Sequence, residues 1–425
     1  MKAVILAAGL GTRMKEKLPK ALIKVAGTEM IFRMMKLLSN HVDEFIIVVG
    51  KSGDKIDNFL KNKGFRYKLV WNFYPERGNG YSFYLAKKFV ENDERFILVM
   101  GDHVYEEEFV KKAIQGFGLI VDRNPLYVDL DEATKVKCEN GRVIDIGKNL
   151  KDFDFVDTGF FILSKEIFKF AEEIVKEKDV VELKDIVKRA KIPVTEVSGY
   201  FWMDIDTKED VKKAKRFLIR NSVKSVGDGI VARNLNRKIS IRISELLVDF
   251  VTPNQMTLLS FLSGMISSVI LFFNIPLAAL FYQFSSIIDG CDGEIARASL
   301  KKSKVGEYVD SILDRFVDFL FLVTLAYVSD FDRFIWLALA FAIFGSVMVS
   351  YSTEKFKAAF FEDIYIKIPK MRFLIGKRDE RIFVTMVFCL LSLVKELIVL
   401  LAFWANLRVA LTLLIVLKTK RNGLD

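Results

Sequence analysis

Proline is scarce in this 425-residue chain, 7 against 38 phenylalanines, and so is cysteine, at 3. Cys138, Cys291 and Cys389 are odd in number, widely separated and without metal-ligand spacing, which argues for a reducing cytosolic environment. No secretory signal is expected: Met1 is followed almost at once by KAVILAAGLGTRM, where a glycine turn stands in place of a longer apolar core and a cleavage site. No internal repeat, no low-complexity tract and no nucleic-acid-binding motif is visible, so nucleic acid is not an expected partner despite a net charge of +10. Many of the cations instead flank apolar segments, the arrangement that anionic lipid headgroups favour.

What the chain does have is two unlike halves. Its length exceeds one typical compact core, and a hydrophobic content of 52% beside 28% charged residues suggests a soluble part joined to a membrane part. To about residue 220, short apolar runs alternate with amphipathic stretches. Strands are expected at Ala3–Ala7, Glu44–Val49, Tyr67–Trp71 and Phe96–Met100, with helices such as Met30–Leu38 and Ser82–Val90 between them. Strand then helix, repeated, implies parallel pairing in a sheet covered on both faces.

Residues 207–250 change character. Lys212, Lys213, Arg216, Arg220, Arg233, Arg237 and Arg242 interleave with Ile, Leu and Val, as in connector helices lying on a membrane surface. Apolar segments of roughly spanning length follow at Thr252–Phe273, Pro276–Ala296, Val305–Val328, Phe334–Tyr351, Ile382–Val394 and Leu397–Leu417. A bilayer core needs about 20 helical residues, so the fifth is short and must borrow its flank. Cations gather between the fourth and fifth segments and in the tail, which predicts six spans with both termini cytosolic. The expected division is therefore a cytosolic domain at 1–215, a basic amphipathic connector at 216–250 and an all-α transmembrane domain at 251–425.

Two motifs carry chemistry. LAAGLGTRM, followed by LPK, sets a glycine-rich turn and two cations after the first strand. Gly9 and Gly11 would let backbone amides near Ala8 approach a triphosphate, and Arg13 and Lys20 would offset charge gathering there during transfer. With ERGNG at Glu76–Gly80, GDH at Gly101–His103, DTGFF at Asp157–Phe161 and WMDIDTKED at Trp202–Asp210, residues 1 to about 215 resemble the sugar-phosphate nucleotidyltransferase family. The resemblance implies a Rossmann-like mixed sheet, with Mg²⁺ held on the nucleotide by Asp102 and by Asp204 or Asp206. Asp206 has a rival reading as the cap of the helix starting near Lys208, and His103 is expected to support the site. Lys148 would grip the incoming alcohol phosphate, and Asn79 and Ser82 would face the base.

The second motif is DGCDGEIARASLKKSKVGEYVDSILD. Intramembrane carboxylates cost several kcal/mol unless paired or metal-bound, at about 3 kcal/mol each on insertion scales. Asp289 and Asp292 are three apart and Asp310 and Asp314 four apart, so each pair shares a helix face. Reversal of the chain near Leu300–Lys304 would let the faces meet and hold one or two divalent cations, Mg²⁺ or Mn²⁺, on a diphosphate. Gly293, Ala296 and Gly306 would clear space for a nucleotide. This run resembles the CDP-alcohol phosphotransferase signature at every defining position, from about Asp228 through VTPNQMT at Val251–Thr257 and onward. The resemblance implies metal binding by Asp289, Asp292 and Asp310, and a general base at Asp314 that shares metal contact. Asp318 would pair with a cation or backbone. Lys357, Arg372, Arg378 and Arg381 would cradle an acceptor phosphate or simply mark the cytosolic side.

The first chemistry makes what the second consumes, which argues for CTP as the first substrate. In this order the two halves are similar to a bifunctional osmolyte-synthesising family. That family turns CTP and inositol 1-phosphate into CDP-inositol, then passes it to a second inositol 1-phosphate, and it implies a homodimer through the membrane helices. Delivery of the headgroup to a lipid hydroxyl is the rival reading. A membrane half that only anchors or transports is the non-enzymatic one.

Overall fold

A computed structural model describes residues 1–9, 18–223 and 226–420. The chain divides into two compact units, Met1–Leu218 and Ile219–Asp425.

In the first unit the strand Lys2–Ala7 lies at the centre of a mixed sheet, paired in parallel with Glu44–Val49 on one side and Phe96–Met100 on the other. Tyr67–Trp71 extends the parallel part, and Phe155–Leu163 pairs antiparallel with Phe96–Met100. The runs AVIL, EFIIVV and FILV are buried without alternation because both faces of the sheet are covered. Val4, Ile46 and Leu98 pack into one apolar layer with Phe83 and Phe168, and Ile5, Ile47 and Val99 into the other with Met34 and Phe109. All four expected strands and the Met30–Leu38 helix are present. The expected Ser82–Val90 helix is two pieces, Asn79–Leu85 and Lys87–Val90, broken at Ala86.

The second unit is helical. Helices at Pro253–Ile270, Ile275–Ala298, Lys304–Val328, Arg333–Phe360, Arg378–Leu390 and Val394–Lys420 overlie the six apolar segments. Two of them, Arg333–Phe360 and Val394–Thr419, are long and apolar enough to cross a membrane. The 13-residue Arg378–Leu390 helix is about 20 Å long, short of a hydrocarbon core. It starts four residues before the apolar run and takes Asp379, Glu380 and Arg381 into its first turn.

Local signals fix the helix starts. Thr252 caps the Pro253–Ile270 helix in a capping box with Gln255, with Pro253 in the first turn. Ser303 accepts the Gly306 amide at 3.3 Å and starts the Lys304–Val328 helix after a turn in which Leu300 has φ 55°. The connector region contains the helix Arg237–Leu247, which packs on Ile275–Ala298 and leaves Leu246 and Phe250 exposed.

Candidate active sites

The turn after Ala298 brings the acidic faces of two consecutive helices together. Carboxylate oxygens of Asp289, Asp310 and Asp314 lie within 4.8 Å of one another. Asp292 sits beside them and accepts the Thr257 hydroxyl at 2.6 Å. Asp289 Oδ1 is buried and takes no hydrogen bond among the described residues. A buried carboxylate oxygen left without a donor costs about 1–3 kcal/mol or more, so a set of oxygens with one orphan fits a divalent cation.

Two cavities adjoin this cluster. One, of about 290 Å³, is lined by Asp292, Gly293, Ala296, Arg297, Gly306 and Asp310 among others. The other, of about 250 Å³, is lined by Asp289, Asp314, Ser350, Tyr365, Lys377 and Arg378 among others. Asp228, Arg237, Asp289 and Gly290 line both.

In the first unit, the carboxyl ends of two neighbouring parallel strands build the site, the usual place for a ligand in such a sheet. Gly101 follows Phe96–Met100 and its amide bonds the Leu6 carbonyl at 2.9 Å, which sets Asp102 next to the carboxyl end of Lys2–Ala7. Asp204 arrives on the strand Trp202–Asp204, paired antiparallel with His103–Tyr105. Lys20 Nζ bridges Asp102 Oδ2 at 2.8 Å and Asp206 Oδ1 at 2.5 Å. His103 Nδ1 is 2.8 Å from Asp102 Oδ1. Gly159, at φ 69°, allows this: a Cβ there would lie 2.7 Å from His103 Nε2.

Charge in this site is strongly shifted. Burial pushes the Asp102 carboxyl up, but His103 and then Lys20 outweigh it and hold the group well below the usual carboxylate range. The same network raises His103 against its burial through Asp102, Asp204 and Asp157. Burial pushes Asp157 up to about 6 against the Gly159 amide that bonds it.

The MobA-like NTP transferase domain matches residues 3–122, and the CDP-alcohol phosphatidyltransferase family matches residues 250–415. Three relatives bear the name bifunctional IPC transferase and DIPP synthase. That of Archaeoglobus fulgidus is 56% identical over 99% of this chain and 85% of its own. Those of Aquifex aeolicus and Thermococcus kodakarensis are 51% and 50% identical, over 99% and 98% of this chain and 99% and 97% of theirs. The chain belongs to this bifunctional family. It is an enzyme with a nucleotidyltransferase and a CDP-alcohol phosphotransferase.

The other residues singled out by sequence fall in varied places. Gly11 and Arg13 lie outside the described residues, while Gly9 is exposed, and among the described residues nothing stands within 4 Å of where its side chain would be. Ala8 is buried at the end of its strand. The Asn79 side chain accepts the Leu183 amide at 2.8 Å, and the buried Ser82 hydroxyl accepts from Asn72 at 2.9 Å, so both tie loops together. Lys148 is exposed on the turn after Arg142–Gly147. The helix starting at Lys208 is capped by Thr207, whose hydroxyl accepts the Asp210 amide at 3.2 Å, which leaves the Asp206 carboxylate to Lys20.

The four cations do not form one cradle. Arg378 reaches Asp289 and Asp314 at 3.2 and 2.9 Å. Lys357 pairs with Glu307 at 3.5 Å, Arg372 donates to the Tyr365 carbonyl, and buried Arg381 donates to the Gly376 carbonyl. Asp318 pairs with Arg378.

Sequence reasoning passed over Glu294, which is fully buried on the motif helix. It accepts from Arg237 at 2.9 Å and from Ser240 and Ser244 at 2.7 Å each. Arg237 also pairs with Asp228 at 2.8 Å. The signal was available: Arg237, Ser240 and Ser244 stand at i, i+3 and i+7, one face of a helix.

Proposed function

We propose that the first unit transfers a cytidylyl group from CTP to inositol 1-phosphate. The second unit then transfers the inositol phosphate of the resulting CDP-inositol to a hydroxyl of a second inositol 1-phosphate. The observation that carries the reading is the convergence of Asp289, Asp310 and Asp314 between two polar cavities, in a chain whose other unit activates a substrate with a nucleotide. The substrates follow from the names of the relatives, and a hydroxyl-rich acceptor cavity with Ser350 and Thr353 on its wall suits a polyol better than a lipid tail.

In the first reaction a phosphate oxygen of inositol 1-phosphate attacks the α-phosphorus of CTP in line and pyrophosphate leaves. Lys20 and Arg13 neutralise the departing charge, and Lys148 holds the attacking phosphate. Asp102, with Asp204 or Asp206, would hold Mg²⁺. The triphosphate lies against the turn of Gly9 and Gly11 and the base near Ala8, with Asn79 and Ser82 fixing the loop beside it.

In the second reaction Asp314 takes the proton of the acceptor hydroxyl, whose oxygen attacks the β-phosphorus of CDP-inositol, and CMP leaves. Asp289, Asp292, Asp310 and Asp314 would hold Mg²⁺ or Mn²⁺, which when bound clamps diphosphate oxygens and polarises phosphorus. Gly293, Ala296 and Gly306 leave room for the cytidine, and Arg378 faces the acceptor phosphate. The helical unit is a six-span membrane domain with both termini and both sites at the cytosolic face, and it pairs as a homodimer within the lipid.

³¹P NMR of the purified chain with CTP, Mg²⁺ and inositol 1-phosphate tests the reading. It predicts pyrophosphate, CMP and a water-soluble phosphodiester that also keeps a phosphate monoester. A product that needs added lipid and partitions into organic solvent would replace the acceptor with a lipid hydroxyl.

A further inference from the structure

Arg378 begins its helix with the guanidinium half-buried among acids from two other helices, and its five N–H donors are unequally shared. Asp318 accepts from Nε at 3.1 Å and from Nη2 at 3.0 Å. Nη1 alone turns to the cluster, 3.2 Å from Asp289 Oδ2 and 2.9 Å from Asp314 Oδ1. Asp318 is itself held: the Tyr282 hydroxyl donates to its Oδ1 at 2.8 Å, and the Tyr282 ring stacks on Phe321 at 4.1 Å and 10°.

The placement follows from helix geometry. Asp318 is one turn beyond Asp314, and Tyr282 is two turns before Asp289, so each helix that supplies a cluster carboxylate also supplies a support one or two turns away on the same face. Asp318 and Tyr282 are both buried, and the cavity of about 250 Å³ has Arg378, Asp289 and Asp314 on its wall but neither support.

We propose that Asp318 and Tyr282 are positioning residues that hold the Arg378 guanidinium by two of its nitrogens and present the third to the acceptor phosphate. This rests on reading the aspartate cluster as the phosphotransfer site. A planar guanidinium prefers a bidentate carboxylate. Released from Asp318, Arg378 would turn its fork onto Asp289 and Asp314 and occupy the oxygens that a cation and the acceptor need. Asp318 therefore limits Arg378 to a single nitrogen in the cluster it serves, and Tyr282 keeps Asp318 in the orientation that does so.

Asp318→Asn and Tyr282→Phe in the full chain test this by Mn²⁺ titration under electron paramagnetic resonance, and by CMP release from CDP-inositol against inositol 1-phosphate concentration. Supporting groups of this kind change affinity or activity by about 10–100-fold. For Asp318→Asn we expect Mn²⁺ affinity to fall about tenfold and the acceptor KM to rise about tenfold, with kcat changing less. Tyr282→Phe, which removes one hydroxyl, should move both quantities the same way by about threefold, and it carries the test alone if Asp318→Asn does not fold. Adding Asp318→Asn to Arg378→Ala should cost nothing further, because the first acts through the second. Wild-type Mn²⁺ affinity and acceptor KM in folded variants, or a loss confined to kcat, would overturn the proposal. Failure of the wild-type chain to release CMP would instead overturn the phosphotransfer reading, and the Mn²⁺ arm would still decide whether the pair restrains Arg378.

Discussion

The two acid clusters of this chain face the same problem and solve it differently. In the first unit Asp102 is closed off by its own neighbours, Lys20 on one oxygen and His103 on the other, and Lys20 also takes Asp206. In the second unit Asp289, Asp292, Asp310 and Asp314 crowd together; among the described residues the cations paired with them are Arg378 and Arg315, and Asp289 Oδ1 takes no donor. A self-neutralised site can wait in water for a nucleotide that brings its own cation. An under-neutralised one half-buried between helices is the arrangement that a divalent ion would complete, since uncompensated charge away from water is costly.

Breaking the second site should therefore cost most. Asp314→Asn removes the proposed base, and CMP release from CDP-inositol should fall by about 10²–10⁴-fold while pyrophosphate release from CTP is kept. Equal loss of both would mean that the units fail together. Lys20→Ala should lower cytidylyl transfer by about 10²–10³-fold and leave CMP release from supplied CDP-inositol unchanged, which makes the mirror-image experiment.

A third prediction concerns what holds the second site in shape. Glu294→Ala leaves Arg237 half-paired and two serines without an acceptor, and breaking a buried pair in this way costs about 3–5 kcal/mol. The midpoint of thermal unfolding in detergent should drop clearly for Glu294→Ala, and less for Glu294→Gln, which keeps an acceptor. No drop would show that the Arg237–Leu247 helix does not depend on Glu294.

The smallest effect is expected in the first unit. Asp157 has a folded pKa of about 6 against an ordinary 3.8, through burial. Folding takes up a proton between those values, so the stability of this unit falls as pH rises from 3.8 to about 6 and then levels off. Asp157→Asn should flatten that part of the thermal-unfolding profile. An unchanged slope would assign the pH dependence to other groups.

Much of this was legible in the sequence where one helix or strand carries the whole signal. The parallel strands read as unbroken apolar runs because both their faces are buried, and Asp310 and Asp314 announce a shared face by being four apart. Contacts between distant segments were not legible. Nothing in the order of residues says that Arg378 returns to Asp318, 60 positions earlier, or that Asn79 spends its side chain on the Leu183 amide. The cap of the helix starting at Lys208 is a local matter: Thr207, next to Asp206, accepts the Asp210 amide. Arg237 counted as one of many connector cations because charge on an amphipathic helix usually faces water or headgroups, whereas here it faces a fully buried glutamate.

Central to the proposed phosphotransfer is a cation at the second site that its own residues do not supply. Isothermal titration of Mn²⁺ into the nucleotide-free chain in lipid nanodiscs, for wild type and for the Asp289→Asn/Asp310→Asn double variant, measures this directly. The proposed metal-dependent transfer predicts saturable binding in the wild type and its loss in the variant. Equal binding by the two chains, or none by either, would contradict it.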